Sequence, residues 1–184
     1  MRETGLAAVI DGQVETLLLG SFPSTASLAR AQYYGHPRNH FWPLLGAILG
    51  EPMLELDYPV RLERLLAHHI GVWDVIGECA RAGSLDSAIR DAVANSFDAA
   101  LAQMPNLRRV FFNGATAGRR SRWFAERGYA VCVLPSSSPA YTIGFEAKLL
   151  AWRALLADIP DRGAHARPTS CTQRPRVRLR VAHR

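Results

Sequence analysis

The sequence predicts a three-layer α/β/α sandwich built around a four-stranded, mainly parallel sheet. Apolar runs of strand length alternate with segments of helical period, the pattern of a sheet covered by helices. Polar or irregular residues gather where each strand run stops, at 21–24, Asp74, Asn113 and 136–138. Ligands of such sheets bind outside the carboxyl ends of the strands, so a single cleft collecting all four groups is expected. With 184 residues, 48% of them hydrophobic, the chain can bury one sizeable core.

Residues 14–20, Val-Glu-Thr-Leu-Leu-Leu-Gly, read as a buried strand ending at the turn Gly20-Ser21-Phe22-Pro23-Ser24. A helix is expected from Asn39 to about Leu49, with Pro43 tolerated in its first turn. A second helix covers 60–69 and sets Leu62, Leu65 and Leu66 on one face. A short strand follows over 72–76, interrupted by Asp74. Ser96 is the N-cap candidate of a helix over 96–104, and 109–112 is a strand that stops at Asn113-Gly114. A basic helix over 117–127 closes at Gly128, and a strand over 129–134 runs into Pro135-Ser136-Ser137-Ser138-Pro139. The last helix covers 145–156.

The formal charge of +6 is unevenly placed. Residues 162–184 contain seven arginines and no Asp or Glu, leaving 15 of the 22 basic side chains against 16 acidic ones in residues 1–161. The chain therefore divides into a domain over 1–161 and a basic tail over 162–184 that lacks periodicity and is expected to be disordered. Nucleic acid would have to meet a local patch on the domain, or the tail. Cys79, Cys132 and Cys171 are too scattered for a zinc, iron–sulfur or disulfide framework. No apolar run approaches the ~20 residues of a membrane span and no secretory leader opens the chain. A cytoplasmic location without membrane contact is the expectation. The Walker loop, dinucleotide fingerprint, HExxH motif and nucleophile elbow are all absent, so neither cofactor nor metal is expected.

Three segments could carry chemistry. The turn at 20–24 lets backbone approach a ligand closely. The segment 33–42, Tyr-Tyr-Gly-His-Pro-Arg-Asn-His-Phe-Trp, crowds aromatic and polar side chains around a proline. Phe41 and Trp42 are read as packing, whereas Tyr34 and Asn39 are candidates for binding and catalysis; Asn39 is equally well suited to cap a helix. The proline-braced loop of Ser136, Ser137 and Ser138 could grip a phosphate or simply turn the chain.

Together these residues resemble the uracil-DNA glycosylase superfamily, and most closely its hypoxanthine-DNA glycosylase (deoxyinosine glycosylase) branch. The superfamily's Gly-x-x-Pro and x-Pro-Ser motifs resemble Gly20-Ser21-Phe22-Pro23 and Leu134-Pro135-Ser136. The His-Pro-x-Asn-x-Phe-Trp stretch of its mismatch-specific members is similar to His36-Pro37-Arg38-Asn39-His40-Phe41-Trp42. The hypoxanthine branch is matched further by Gln32-Tyr33-Tyr34, Trp73-Asp74-Val75-Ile76 and Gly83-Ser84-Leu85-Asp86. The similarity spans roughly residues 16–157.

The resemblance implies a cofactor-free DNA repair enzyme that flips a deaminated base, hypoxanthine first, out of the duplex and hydrolyses its N-glycosidic bond. Phe22 stands where most relatives carry an Asp or Asn that handles the attacking water, and Leu134 stands where efficient uracil enzymes have a histidine. Asn39 is the expected replacement, orienting water through its amide oxygen. Tyr34 is implied to stack on the base, with Phe22 beside it. Asp74 would accept from the base N1–H or cap the next loop, and Asn113 would donate to O6 or shape the turn before Gly114. Ser24, Ser136, Ser137 and Ser138 are the expected phosphate contacts. Tyr141 could wedge the duplex or pack in the core, and Arg119, Arg120 and Arg122 could meet DNA or form a solvated helix face. Lys148, the only lysine, falls outside the motifs, so a Schiff-base lyase step is not expected. Double-stranded DNA, with single strands as an option, is the implied partner of a monomer. Uracil or xanthine preference, a non-catalytic DNA-binding module and a free-nucleoside hydrolase are the competing readings.

Overall fold

A computed structural model describes residues 2–156 of the chain. The main sheet has the order β3-β2-β6-β7, from Ile70–Asp74, Thr16–Gly20, Arg109–Asn113 and Ala130–Leu134, and every neighbouring pair is parallel. Strands β2, β6 and β7 lie where the apolar runs predict them, and β3 begins two residues before its expected start. Central β2 is buried along its whole length, which is why its run is apolar without alternation.

Alternate side chains of these strands feed two cores. Leu18, Val72 and Phe111 enter one, against Phe41, Trp42 and Leu45 of helix α2 (Phe41–Leu49) and Trp152 of helix α7 (Phe145–Trp152). Leu17, Leu19, Val110 and Phe112 enter the other, against Phe97 of α4 (Phe97–Ala102) and Phe124 of α6 (Ser121–Ala125). A fully buried Leu or Phe contributes ~1.5–3 kcal/mol, so the two layers hold the sheet from both faces. Helix α3 (Tyr58–Ala67) adds Leu65 to the first core and starts two residues earlier than expected, because Pro59 occupies its first turn.

Several elements differ from expectation. A second, antiparallel sheet of order β1-β4-β5 is formed by Arg2–Thr4, Ile76–Ala80 and Arg90–Ala94. The strand expected over 72–76 is thus two strands. It breaks after Asp74, where Val75 N–H donates to Gly20 O (2.9 Å) and Ile76 N–H to Ser21 O (3.1 Å). A short helix α1 (Thr25–Arg30) follows the first turn, with Ser24 as its N-cap. The basic helix expected over 117–127 is two pieces, α5 (Ala115–Gly118) and α6, and the last helix ends as a 3₁₀ turn over Arg153–Leu156. The proposed tail over 162–184 lies outside the described residues. Among those described, no helix is long and apolar enough to cross a membrane.

Candidate active site

Parallel register puts the strand ends in one row: Gly20 pairs with Asp74, and Asn113 with Leu134. A cavity of about 240 Å³ opens at that edge. It is lined by Phe22, Ser24, Tyr34, Asn39, Asp74, Asn113, Ser136, Ser137 and Ser138, so the structure brings the candidate catalytic, base-binding and phosphate-binding residues to one place. Arg119, Arg120 and Arg122 do not line it; Arg120 packs over Trp123 and Arg122 pairs with Glu126.

Gly20 makes the floor possible. A β-carbon there would collide with Asp74 Oδ1 and come within 2.9 Å of Tyr34 Oη. Asp74 is 3% exposed, and its Oδ2 is buried without a hydrogen-bond partner. Its place is set by the backbone: Asp74 O accepts from Asn95 Nδ2 at 2.8 Å. Burial pushes the Asp74 carboxyl up to about 8, the Asp86 charge adds to this, and Arg81 opposes both.

Tyr34 sits at φ 54°, a left-handed conformation that is costly for a residue with a side chain. Its neighbours hold it there. Tyr33 N–H donates to Tyr58 Oη (2.8 Å), Trp42 Nε1 to Tyr33 O (3.0 Å), and Gly35 N–H to Ser27 Oγ (3.1 Å). One face of the Tyr34 ring stacks on Phe41, with centroids 3.7 Å apart and planes 14° from parallel. Its hydroxyl is buried and unbonded. Burial first and Asp74 second raise its pKa, with the Asn113 amide acting in the opposite sense.

Asn39 does cap a helix, though from one residue before the cap position. Its Oδ1 accepts from Phe41 N–H at 2.9 Å, while His40 N–H donates to Ser137 O at 3.0 Å. The first bond fixes the amide plane and leaves Oδ1 a second lone pair. The capping and cavity-facing positions predicted as alternatives are therefore occupied by the same side chain.

Asn113 and Ser137 bond each other twice: Asn113 Nδ2 donates to Ser137 Oγ, and Ser137 N–H donates to Asn113 Oδ1, both at 2.8 Å. Ser137 has no exposed surface, so its hydroxyl braces the loop, and Ser136 and Ser138 form the loop's accessible part. Helix α7 holds this loop from beneath: Lys148 Nζ donates to Ser138 O (3.1 Å) and Trp152 Nε1 to Pro135 O (2.9 Å). Ser24 Oγ accepts from Ser27 N–H at 3.2 Å, the α1 cap that sequence reading did not foresee.

Arg81 escaped the sequence reading. Its side chain has no exposed surface, and its guanidinium lies 4.8 Å from the Phe22 ring centroid. It donates to Pro23 O at 2.6 Å and to Glu3 Oε2 at 3.3 Å, fixing the first turn from behind. The loop before the 3₁₀ turn Asp86–Ala88 is pinned to that turn from the front. Thr25 N–H donates to Ser84 Oγ (3.0 Å) and Ser21 Oγ to Asp86 Oδ1 (2.7 Å), leaving Leu85 exposed at the rim with Tyr141.

The site thus combines an aromatic wall, unbonded buried polar atoms and a fixed amide. That arrangement suits recognition of a planar heterocycle and positioning of a water molecule; among the described residues no His/Cys/Asp/Glu group is placed to hold a metal ion. No protein-family model matches the chain. It is similar to two curated relatives, both named hypoxanthine DNA glycosylase. The one from Methanosarcina barkeri is 40% identical over 152 residues, covering 83% of this chain and 96% of the relative. The one from Methanosarcina acetivorans is 42% identical over 140 residues, covering 76% and 89%. A solution NMR structure from M. acetivorans, described as a candidate uracil DNA glycosylase, superposes with a TM-score of 0.75 at 39% identity, covering 85% of this chain and all of that one. With both curated relatives matched over most of their length, this chain belongs to the hypoxanthine DNA glycosylase family.

Proposed function

We propose that the protein hydrolyses the N-glycosidic bond of hypoxanthine in double-stranded DNA, acting as a monofunctional, monomeric enzyme. The observation that carries the reading is the cavity at the strand ends, where Asp74 and Tyr34, each with a buried unbonded oxygen, line the same space as Asn39. Such atoms are costly when left unpaired, and a flipped base supplies their partners. The wall of Tyr34 and Phe22 provides the aromatic surface for it, at ~1–3 kcal/mol per stacked base.

The path is dissociative. Positive charge develops on the sugar while negative charge grows on the leaving purine. Asn39 Oδ1 aims a water at the sugar carbon; an amide is a poor base, so it orients and does not abstract a proton. Asn113 shapes the pocket through Ser137, and Ser24, Ser136 and Ser138 meet the phosphates. The arginines of 162–184 add salt-dependent, sequence-blind affinity to the domain over 1–161.

The test is a duplex containing one deoxyinosine, incubated with the protein and then treated with alkali to cleave abasic sites. Strand breakage well above an Asn39→Ala control is expected. DNA binding without base release from deoxyinosine, xanthine or uracil duplexes would leave only a binding module. Turnover of free inosine with no gain from DNA would move the substrate class to nucleosides.

A further inference from the structure

Asp74 is the last residue of β3 and lies beside Gly20 on the cavity floor, 3% exposed, with Oδ2 unbonded. The charged and titratable groups around it come from each neighbouring element. Arg81, just beyond β4, is turned to Phe22, Pro23 O and Glu3. Asp86, from the 3₁₀ turn, carries charge of the same sign and accepts from Ser21. Tyr33 and Tyr34 are neutral phenols, and Asn113 is occupied by Ser137. Among the described residues no cation forms an ion pair with Asp74. A carboxylate in that position would be buried with Oδ2 unbonded and no ion-pair partner among the described residues, and the uncharged acid is the form such a site favours.

We infer that Asp74 reads the flipped base as a neutral carboxylic acid, donating through its O–H and accepting through its carbonyl oxygen on the same lactam edge. This rests on the reading of the cavity as a hypoxanthine site. Hypoxanthine presents N1–H, a donor, next to O6, an acceptor. A neutral acid meets both, with O–H donating to O6 and C=O accepting from N1–H. A carboxylate meets only N1–H and sets its second oxygen against the O6 lone pairs. The difference grows along the reaction. As the glycosidic bond breaks, its electron pair goes to the purine ring and raises the charge on O6. A hydrogen bond donated to O6 strengthens as that charge develops, whereas a carboxylate there would oppose it. No proton is transferred in this step. Xanthine and uracil carry the same N–H/C=O pairing and are admitted by the same group.

The test has two readouts on the full chain. In protein labelled with ¹³C at the aspartate carboxyls, one resonance should titrate near pH 8 and be missing from Asp74→Asn. In single-turnover excision from a deoxyinosine duplex, the wild type should fall about tenfold relative to Asp74→Asn between pH 7 and pH 9, as expected for a carboxyl titrating at about 8. The base's own N–H titrates against both proteins alike, so the difference between profiles isolates Asp74. At pH 7, Asp74→Asn, which keeps a donor and an acceptor, should excise within about threefold of wild type, and Asp74→Ala should lose most activity. Titration of every aspartate in the ordinary range, about 3.9, would overturn the inference, as would Asp74→Asn failing as badly as Asp74→Ala. The titration needs no substrate. A protein with the raised resonance but no excision would therefore defeat the function proposed above and keep the neutral acid.

Discussion

Gly20→Ala should cut excision of deoxyinosine about a hundredfold while the protein stays folded. Gly20 does not have a positive φ, so the obstacle for alanine is space. Its β-carbon would collide with Asp74 Oδ1 and come within 2.9 Å of Tyr34 Oη, where ordinary contact begins at 3.4 Å. Tyr34 must retreat by about half an ångström and Asp74 further, on the order of an ångström, among packed neighbours. Overpacking of this kind costs ~1–3 kcal/mol. In a domain of this size each kcal/mol lowers Tm by about 2–4 °C, so a fall of about 2–12 °C is expected. A ~1 Å misplacement of groups that position substrate is worth ~10² in rate. Single-turnover excision and a thermal melt measure the two effects. A cycle with Asp74→Ala assigns them: with Oδ1 gone, only the Tyr34 contact remains, and the stability cost of Gly20→Ala should fall by at least half. Wild-type excision with an unchanged Tm, or an undiminished cost in the Asp74→Ala background, would refute the steric reasoning.

Asn39→Ala removes the acceptor for Phe41 N–H and should cost ~1 kcal/mol of stability together with ~10² or more in excision. Asn39→Asp keeps an acceptor and should restore Tm, and activity that merely follows Tm would reduce Asn39 to a cap. Stability should also carry the signature of Asp74. Its carboxyl is raised from 3.8 to about 8, so above about pH 4 the folded state holds a proton that the unfolded state has released. Its stabilising contribution is complete below pH 4 and is lost as pH rises to about 8. The Tm of Asp74→Asn should therefore gain on wild type between pH 5 and pH 9, and a constant gap would count against the raised value. Arg81→Met deletes the cation that opposes this shift and should move the Asp74 titration higher. It should also cost ~1–3 kcal/mol, because Pro23 O loses its donor; calorimetry and the ¹³C titration measure both.

The main sheet and its ligand edge were legible because burial on both faces writes apolar runs, and each run stops at its polar end. The small sheet was not. All five positions of β5 are exposed and β1 is only three residues long, so neither carries a hydrophobic period. Helix α1 buries only Ser27, which leaves no apolar stripe to read. Within the site, Asn39, Tyr34 and the serine loop stood out through unusual residue types at close spacing. The split between Ser137 and its neighbours did not, since three consecutive serines are alike until a fold turns one inward. Arg81 was hidden for a different reason. Its partners Pro23 and Glu3 are 58 and 78 residues away in sequence, and no local pattern marks such a contact.

The row of strand ends also has a consequence for how the site can be altered. Phe22 arrives on the turn after β2, Asp74 and Asn113 end β3 and β6, and Asn39 lies just before helix α2, outside the sheet. With Asp74 as the base reader inferred above, an exchange at 74 alters the edge offered to the base without touching the bond between Asn39 and Phe41. On the proposed reading, base preference is therefore separable from water positioning: the first is set at a strand end, the second by a bond made in the loop before α2.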